Sequence, residues 1–316
     1  MTAVKPKAPK SGGQAYVFLR ERWSVRAGEW LIYAITRCLF WITRPFGLWS
    51  LASALAPIGG WIALVVPSLR RRAEHNLQHA WPELGPQERR RLIAEAGASA
   101  VRLVVEYSQI HRLKRSVPLD VQGVEHLEYA RQSGRGVILA TAHYGNWECA
   151  RFAAKAAGHE SGIIYRAFNN RYIDRFAMGF ILCGGGPVMQ KGPAGLRALI
   201  AHLNRGGVAM ILVDQRNSGA PMIEFLGQPA ETMVTAAELA RRCDAALIPV
   251  VSRRDVQKRR FAVRFEPEVP SGPPEAMMAE VNARISSWID DEPGQWLWFH
   301  QRWRKAARPR GAAARR

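Results

Sequence analysis

The chain has 316 residues, of which 48% are hydrophobic, and a formal net charge of +19. This composition supports a sizeable core and excludes a globally disordered protein. The charge predicts an anionic partner, which composition alone leaves open among nucleic acid, an anionic membrane surface and an acidic protein. The four cysteines lack the close spacing of a metal or redox motif, so no disulfide framework and no metal site are expected.

The N-terminal region divides into two parts. Residues 1–28 begin with a tail containing Lys, Pro and Gly, and we interpret them as a basic disordered tail and lead-in. Residues 29–69 are apolar and rich in tryptophan, and the uncharged run 45–69 is long enough to cross a bilayer. We therefore expect a membrane anchor over residues 29–69. Pro57 and Gly59 interrupt the run, so spanning and interfacial arrangements both remain open.

From residue 70 onward the hydrophobic pattern is first helical and then alternates between strand and helix. Apolar residues recur at helical spacing over 73–113. Strands are predicted at 136–142, 162–165, 208–213, 246–251 and 261–266, and helices at 146–157, 172–182, 194–204, 232–242 and 274–289. The alternation predicts an α/β fold with a largely buried central sheet over residues 70–304. Residues 305–316 form a predicted basic C-terminal tail.

A histidine and a glutamate follow the first of these strands. His143 comes directly after the strand 136–142, and Glu148 stands about one helical turn further on. Open α/β sheets place ligands at the carboxyl ends of their strands. We expect Glu148 to accept a hydrogen bond from one imidazole nitrogen while the other takes a proton from a substrate hydroxyl. The alternative is a structural histidine, which is the commoner case for an isolated spacing of this kind.

Several blocks in order carry a more specific signal. They are ATAHYGNWE, IIYRAFNN, KGPAGLRALIAHLNRGGVAMILVDQR, MIEFLGQPAETMVTAAELARR and EPGQWLWFHQRWR. Together they resemble the lipid A biosynthesis (lauroyl/myristoyl) acyltransferase family, within the lysophospholipid acyltransferase superfamily, over roughly residues 30–305. The resemblance implies a central mixed sheet flanked by helices, as in glycerolipid acyltransferases, with an N-terminal apolar anchoring segment. One departure is Gly294, where the family usually has a glutamate.

The resemblance also implies a reaction. A fatty acyl group would pass from an acyl carrier protein thioester to a hydroxyl of a lipid A precursor, with His143 as general base supported by Glu148. The family uses no metal and no bound cofactor, and it works at the inner membrane with its active site facing the cytoplasm. The acyl carrier protein is acidic, which suits the charge of +19.

The sequence leaves two alternative functions open. One is an acyltransferase for another polar lipid, such as a lysophospholipid, an aminolipid or a glycolipid, with acyl-CoA as a possible donor. A more remote one is a membrane-tethered nucleic-acid-binding protein, suggested only by the charge. The basic residues are not interleaved with an aromatic stacking platform in any recognisable module, so no nucleic acid partner is expected.

Six residues are expected to bind substrate: Arg166, Asn170, Lys191, Arg197, Asp214 and Gln215. The planar fork of Arg166 suits a phosphate of lipid A or of a phosphopantetheine arm. By resemblance Asp214 belongs to the active site, where it would orient Arg166 or a substrate hydroxyl; the alternative is an aspartate that caps a turn. Lys191 and Arg197 would add positive potential, or form a solvated face. The tryptophans of the last block are expected to be core or interface residues.

Overall fold

A computed structural model describes residues 23–303. The predicted tail before residue 23 and the predicted tail 305–316 lie outside the described residues. The chain begins with five helices: α1 (Trp23–Ile42), α2 (Leu48–Val65), α3 (Pro67–Ala80), α4 (Pro86–Ser108) and α5 (Ile110–Ser116). Helix α1 begins before residue 29, so the expected boundary between lead-in and anchor falls within a helix. The helical pattern over 73–113 corresponds to α3, α4 and α5.

Helix α2 occupies most of the uncharged run. It continues through Pro57 and is the one helix within residues 23–303 that is long and apolar enough to cross a membrane, with a mean hydropathy of 1.7 over 18 residues. A third of that window (33%) is buried against the protein. Gly59 packs on Gly97 of α4 so closely that a Cβ on either would lie 2.3 Å from the carbonyl oxygen of the other. This contact attaches the predicted anchor to the rest of the fold.

A seven-stranded sheet follows, with spatial order β1-β9-β8-β2-β5-β3-β4. Its strands are β1 (Leu119–Gln122), β2 (Val137–Thr141), β3 (Ser161–Tyr165), β4 (Val188–Gln190), β5 (Val208–Leu212), β8 (Ala246–Asp255) and β9 (Arg260–Phe265). Neighbouring strands are parallel except for the antiparallel pair β8 and β9. The expected α/β fold with a central mixed sheet is confirmed.

Helices cover both faces of the sheet, because every residue of β2 is buried and successive side chains point to opposite faces. Ile138 and Ala140 join one core cluster, and Val137 and Leu139 join the other. The remaining helices are α6 (Val124–Gln132), α7 (Glu148–Ala156), α8 (Arg171–Ile181), α9 (Pro193–Asn204), α10 (Thr235–Arg242) and α11 (Pro274–Asp291). A separate hairpin joins β6 (Met222–Phe225) to β7 (Gln228–Glu231).

The differences from the sequence-based expectations concern short elements. The pattern did not predict β1, β4, the β6–β7 hairpin or α6, and it placed the start of α10 at residue 232 rather than Thr235. Strands of three or four residues offer too few alternations to be recognised by periodicity. The five longer predicted strands all lie in the sheet, and they include the four whose ends define the site described next.

Candidate active site

Four adjacent strands end at the same edge of the sheet. In the order β8-β2-β5-β3 all four are parallel, so their carboxyl ends lie side by side. His143 follows β2, Asp214 follows β5 and Arg166 follows β3. The topology therefore places three sequence-predicted site residues along one edge, where open α/β sheets bind their ligands.

His143 is paired with Asp214. The imidazole Nδ1 lies 2.7 Å from Oδ1 of Asp214, and the backbone N–H of His143 donates to Oδ2 at 2.9 Å. A carboxylate only accepts hydrogen bonds, so Nδ1 carries the hydrogen and Nε2 keeps its lone pair. The Asp214 side chain is 3% exposed and that of His143 is 19% exposed. The aspartate is thus enclosed, while the imidazole remains partly open to solvent and substrate.

The pair shifts the pKa values of both groups. Burial alone would raise the pKa of Asp214, but His143 and the indole of Trp296 lower it to about 2. Burial also opposes the charged imidazolium, yet the charge and hydrogen bond of Asp214 outweigh it and raise the pKa of His143. Asp214 therefore stays ionised at neutral pH and stabilises the imidazolium that forms when Nε2 accepts a proton.

The prediction that Glu148 accepts a hydrogen bond from His143 is wrong. Glu148 begins α7, which turns its carboxylate away from the imidazole: Oε2 accepts from Arg151 at 2.8 Å and Oε1 accepts from the hydroxyl of Tyr107 at 3.2 Å. Both members of the Glu148–Arg151 pair are buried. Arg151 also donates to the backbone carbonyls of Ser161, Ile181 and Gly185. The pair thus joins α7 to the segment that follows α8.

Residues 295–297, near the C-terminus, form hydrogen bonds with Asp214 and with the loop 142–147 that carries His143, which we call the histidine loop. The indole N–H of Trp296 donates to Oδ2 of Asp214 at 2.8 Å, and the backbone N–H of Leu297 donates to the carbonyl of His143 at 3.0 Å. The N–H of Gly145 donates to the carbonyl of Gln295 at 3.1 Å. Gly145 has a φ of +55°, and a Cβ there would meet the carbonyl oxygen of Ser252 at 2.0 Å, so only glycine fits. Trp296 is a core residue, as expected, and also holds the aspartate.

A buried ion pair between Arg254 and Glu106 also stabilises the histidine loop. Arg254 of β8 donates from Nη2 to Oε2 of Glu106 at 2.9 Å and to the carbonyl of Gly145 at 3.3 Å. The amide of Asn146 donates to the same Glu106 oxygen at 2.9 Å and its own oxygen accepts from the N–H of Glu148 at 3.1 Å. Arg254 and Glu106 could not be recognised from the sequence, because neither lies in a local motif and the two meet only in the folded protein.

An apolar cavity of about 240 Å³ opens beside His143. It lies between α4 and the histidine loop, and most of its wall is apolar: Ala96, Ala100, Leu103, Val104, Trp147 and Leu297. The ring of Trp147 meets the imidazole edge-on, with 5.2 Å between centroids. This geometry places the imidazole in the wall of a pocket that suits a hydrocarbon chain.

The other predicted binding residues fall into two groups. Gln215 is exposed, and its amide nitrogen lies 3.4 Å from Nε2 of His143. The other group is exposed on the side of the His143–Asp214 dyad where β3 and β4 lie. It consists of Arg166, Lys191 and Arg197.

The amide of Asn170 has a structural role instead of the expected one. Its oxygen accepts from the backbone N–H groups of Tyr172 and Ile173, and its nitrogen donates to the carbonyl of Glu29 at 2.7 Å. Asn170 thus caps α8 and joins it to α1. Asp214 likewise orients His143 rather than Arg166. Within residues 23–303 the structure brings together no group of three or more metal-ligating side chains.

The chain matches a known family over most of its length. Residues 20–305 match the family model described as bacterial lipid A biosynthesis acyltransferase. The chain is similar to a lipid A biosynthesis acyltransferase of Haemophilus influenzae, with 24% identity over 77% of this chain and 78% of the relative. It is 26% identical to a lipid A biosynthesis lauroyltransferase of Escherichia coli over 80% and 85% of the two chains. A phosphatidylinositol mannoside acyltransferase of Mycobacterium tuberculosis is 26% identical over 61% and 62%.

Proposed function

Because the chain belongs to the bacterial lipid A biosynthesis acyltransferase family, we propose that it transfers a fatty acyl group from an acyl carrier protein thioester to a hydroxyl of a lipid A precursor. The family makes it an O-acyltransferase. One observation carries the proposed chemistry: the His143–Asp214 pair, at 2.7 Å, stands at the carboxyl edge of the sheet beside an apolar cavity.

The proposed reaction is a direct transfer with His143 as general base. Nε2 takes the proton of the acceptor hydroxyl while that oxygen forms a bond to the thioester carbonyl carbon. The tetrahedral intermediate collapses, the carbon–sulfur bond breaks, and the departing thiolate takes the proton back from His143. Asp214 stabilises the imidazolium between the two steps. Within residues 23–303 the hydrogen-bond partners of the imidazole are Asp214 and Gln215 rather than a serine or cysteine, which supports attack by the acceptor itself.

The experiment that tests this function is acyl transfer by the purified full chain. We expect product when the protein is given a lipid A precursor and an acylated carrier protein, and lower kcat/KM when acyl-CoA replaces the carrier. The charge of +19 supports a carrier protein as partner, because it attracts an acidic surface. Mass spectrometry of lipid A and of total polar lipids with and without the gene checks the acceptor. Unchanged lipid A would contradict the proposal.

A second acceptor class is favoured by one observation. The similarity to a phosphatidylinositol mannoside acyltransferase indicates that this group of relatives includes an enzyme named for another polar lipid. The same dyad and cavity would serve a hydroxyl of a glycolipid equally well. In the same mass spectrometry, loss of an acyl chain from such a lipid with lipid A unchanged would favour this alternative.

Arg166 is proposed to bind a substrate phosphate. It is exposed at the end of β3, on the far side of β5 from His143. A contact made equally in the ground and transition states raises KM more than it lowers kcat. We expect Arg166→Ala to raise one KM about tenfold, and Arg166→Lys to be a poor replacement because an ammonium lacks the bidentate fork. Steady-state kinetics with donor and acceptor varied separately check this. A large fall in kcat with both KM values unchanged would assign Arg166 a chemical role instead.

The protein is proposed to act at the inner membrane with its site facing the cytoplasm. Large apolar side chains are exposed on α1 and α2, including Trp41 at 69% and Trp61 at 64%, and tryptophan prefers the headgroup region. We expect the full chain to float with vesicles of phosphatidylethanolamine and phosphatidylglycerol, and Trp41→Ser with Trp61→Ser to reduce the bound fraction severalfold. Tyr129→Ser, at an exposed position on α6, serves as the control. Equal flotation of all three proteins would contradict docking through α1 and α2.

A further inference from the structure

A second cavity, of about 650 Å³, adjoins the apolar one. We call it the α4–β8 cavity, because its wall consists of residues 91, 95, 99 and 102 of α4, the end of β8 with the turn after it, and residues 291–295. Ser99 and Gln295 line both cavities. The strand order places β8 next to β2, so the α4–β8 cavity lies on the opposite side of His143 from Arg166.

The two cavities are lined by two different faces of α4. Residues three and four apart lie on one face of a helix. Arg91, Glu95, Ser99 and Arg102 follow that spacing and face the α4–β8 cavity, whereas Ala96, Ala100, Leu103 and Val104 face the apolar cavity. A substrate whose reacting group lies at His143 can therefore place an apolar part on one face and a charged part on the other.

Most charges in the wall of the α4–β8 cavity are already neutralised. Arg91 pairs with Glu95 at 3.1 Å and Arg253 pairs with Glu292 at 2.7 Å. Asp255 lies 3.7 Å from Arg260, and Arg254 belongs to the buried pair with Glu106. The remaining charged groups of the wall are Arg102, the exposed Lys258 and the exposed Asp291.

Arg102 has a guanidinium nitrogen without a hydrogen-bond partner among residues 23–303. This nitrogen, Nε, is buried, which is a costly state for it. Burial and the neighbouring charge of Arg254 lower the pKa of Arg102, and they outweigh the carboxylates of Glu106 and Glu95, which raise it. Both effects disfavour the bare cation, so an anion placed beside it would gain a strong, charge-assisted contact.

Gly294 keeps this cavity open. A Cβ at that position would lie 2.7 Å from both the Cβ and the Oε2 of Glu95. A glutamate at this position would collide with Glu95 and bring a second carboxylate into the wall. Glycine therefore leaves space in the wall and adds no acid there.

We propose that the α4–β8 cavity binds a phosphate ester of one of the two substrates, with Arg102 as its principal contact. This inference rests on the proposed function for the identity of the substrates. Two sources share the chemistry: the phosphopantetheine arm of the donor and the phosphorylated sugar of the acceptor. Arg166 stands on the other side of the dyad, so the second phosphate-bearing substrate approaches from there.

The test is calorimetric binding to the full-length His143→Ala protein, which requires no turnover. The probes are 4′-phosphopantetheine and glucosamine 1-phosphate, each compared with its dephosphorylated form. We expect one phosphorylated probe to bind, with at least tenfold weaker binding of its dephosphorylated form. Arg102→Gln should weaken that probe about tenfold, and Arg102→Lys by less. Arg90→Gln is the control, because Arg90 is exposed on the same helix and outside the cavity wall.

The probe that responds identifies the substrate, and Gly294→Glu should weaken the same probe. The inference is overturned if neither phosphorylated probe binds, or if Arg102→Gln changes binding no more than Arg90→Gln does. A failure of the proposed function would look different: the wild-type chain would form no acylated product, while the probe would still bind and still depend on Arg102.

Discussion

His143→Ala is expected to lower kcat of acyl transfer by about 100- to 10,000-fold, the usual contribution of a general base. Nε2 is the nitrogen that carries the accepting lone pair, since Nδ1 donates to Asp214. The fold should survive, because the backbone bonds of residue 143 to Asp214 and Leu297 do not involve the imidazole. The measurement is steady-state kinetics with saturating donor and acceptor, beside a thermal unfolding curve.

The outcome that contradicts this mechanism is a folded His143→Ala protein with near wild-type kcat. A protein that unfolds at a much lower temperature would instead show a structural role for the imidazole. The two results separate chemistry from stability because the side chain is 19% exposed and lies outside the buried core.

Asp214→Asn is expected to lower kcat by about 100-fold or more. The asparagine amide can donate to Nδ1, which would move the hydrogen to Nε2 and remove the lone pair that accepts the proton. The pH profile gives a second readout. Asp214 raises the pKa of His143, and the base works only when neutral, so wild-type activity should rise with pH through a pKa above the ordinary value for histidine. In Asp214→Asn the rise of the residual activity with pH should occur at a lower pH than in the wild type, because the pKa of His143 is no longer raised.

Glu148→Gln provides the contrast, since it also replaces a buried carboxylate close in sequence to His143. It leaves Arg151 buried without its ionic partner, which typically costs about 3–5 kcal/mol of unfolding free energy. We expect a lower melting temperature and an unchanged pH dependence in the protein that remains folded. If Glu148→Gln instead shifts the pH profile while Asp214→Asn leaves it unchanged, the carboxylate that supports His143 is Glu148.

The α/β class, the five longer strands and the position of His143 could be predicted from local sequence patterns. Periodicity identifies β2 because a fully buried parallel strand is a continuous apolar run, and it identifies α4 because one face of a helix repeats its apolar residues. The ordered motifs led to the family, which the match over residues 20–305 confirms. The position of His143 at a strand end followed from local pattern alone, since the residue comes directly after β2.

The carboxylate that pairs with His143 depends on the three-dimensional arrangement of the strands. Glu148 is five residues away in sequence, yet α7 directs it to Arg151, while Asp214 is brought to the imidazole because β5 lies next to β2 in the sheet. Strand order depends on the connections and cores of the whole chain rather than on local pattern. For the same reason three further features could not be predicted from the sequence: the contact of Trp296 with Asp214, the Arg254–Glu106 pair and the cavity beside Arg102. Sequence spacing describes neighbours along the chain, and the chemistry of this site is made by neighbours across the sheet.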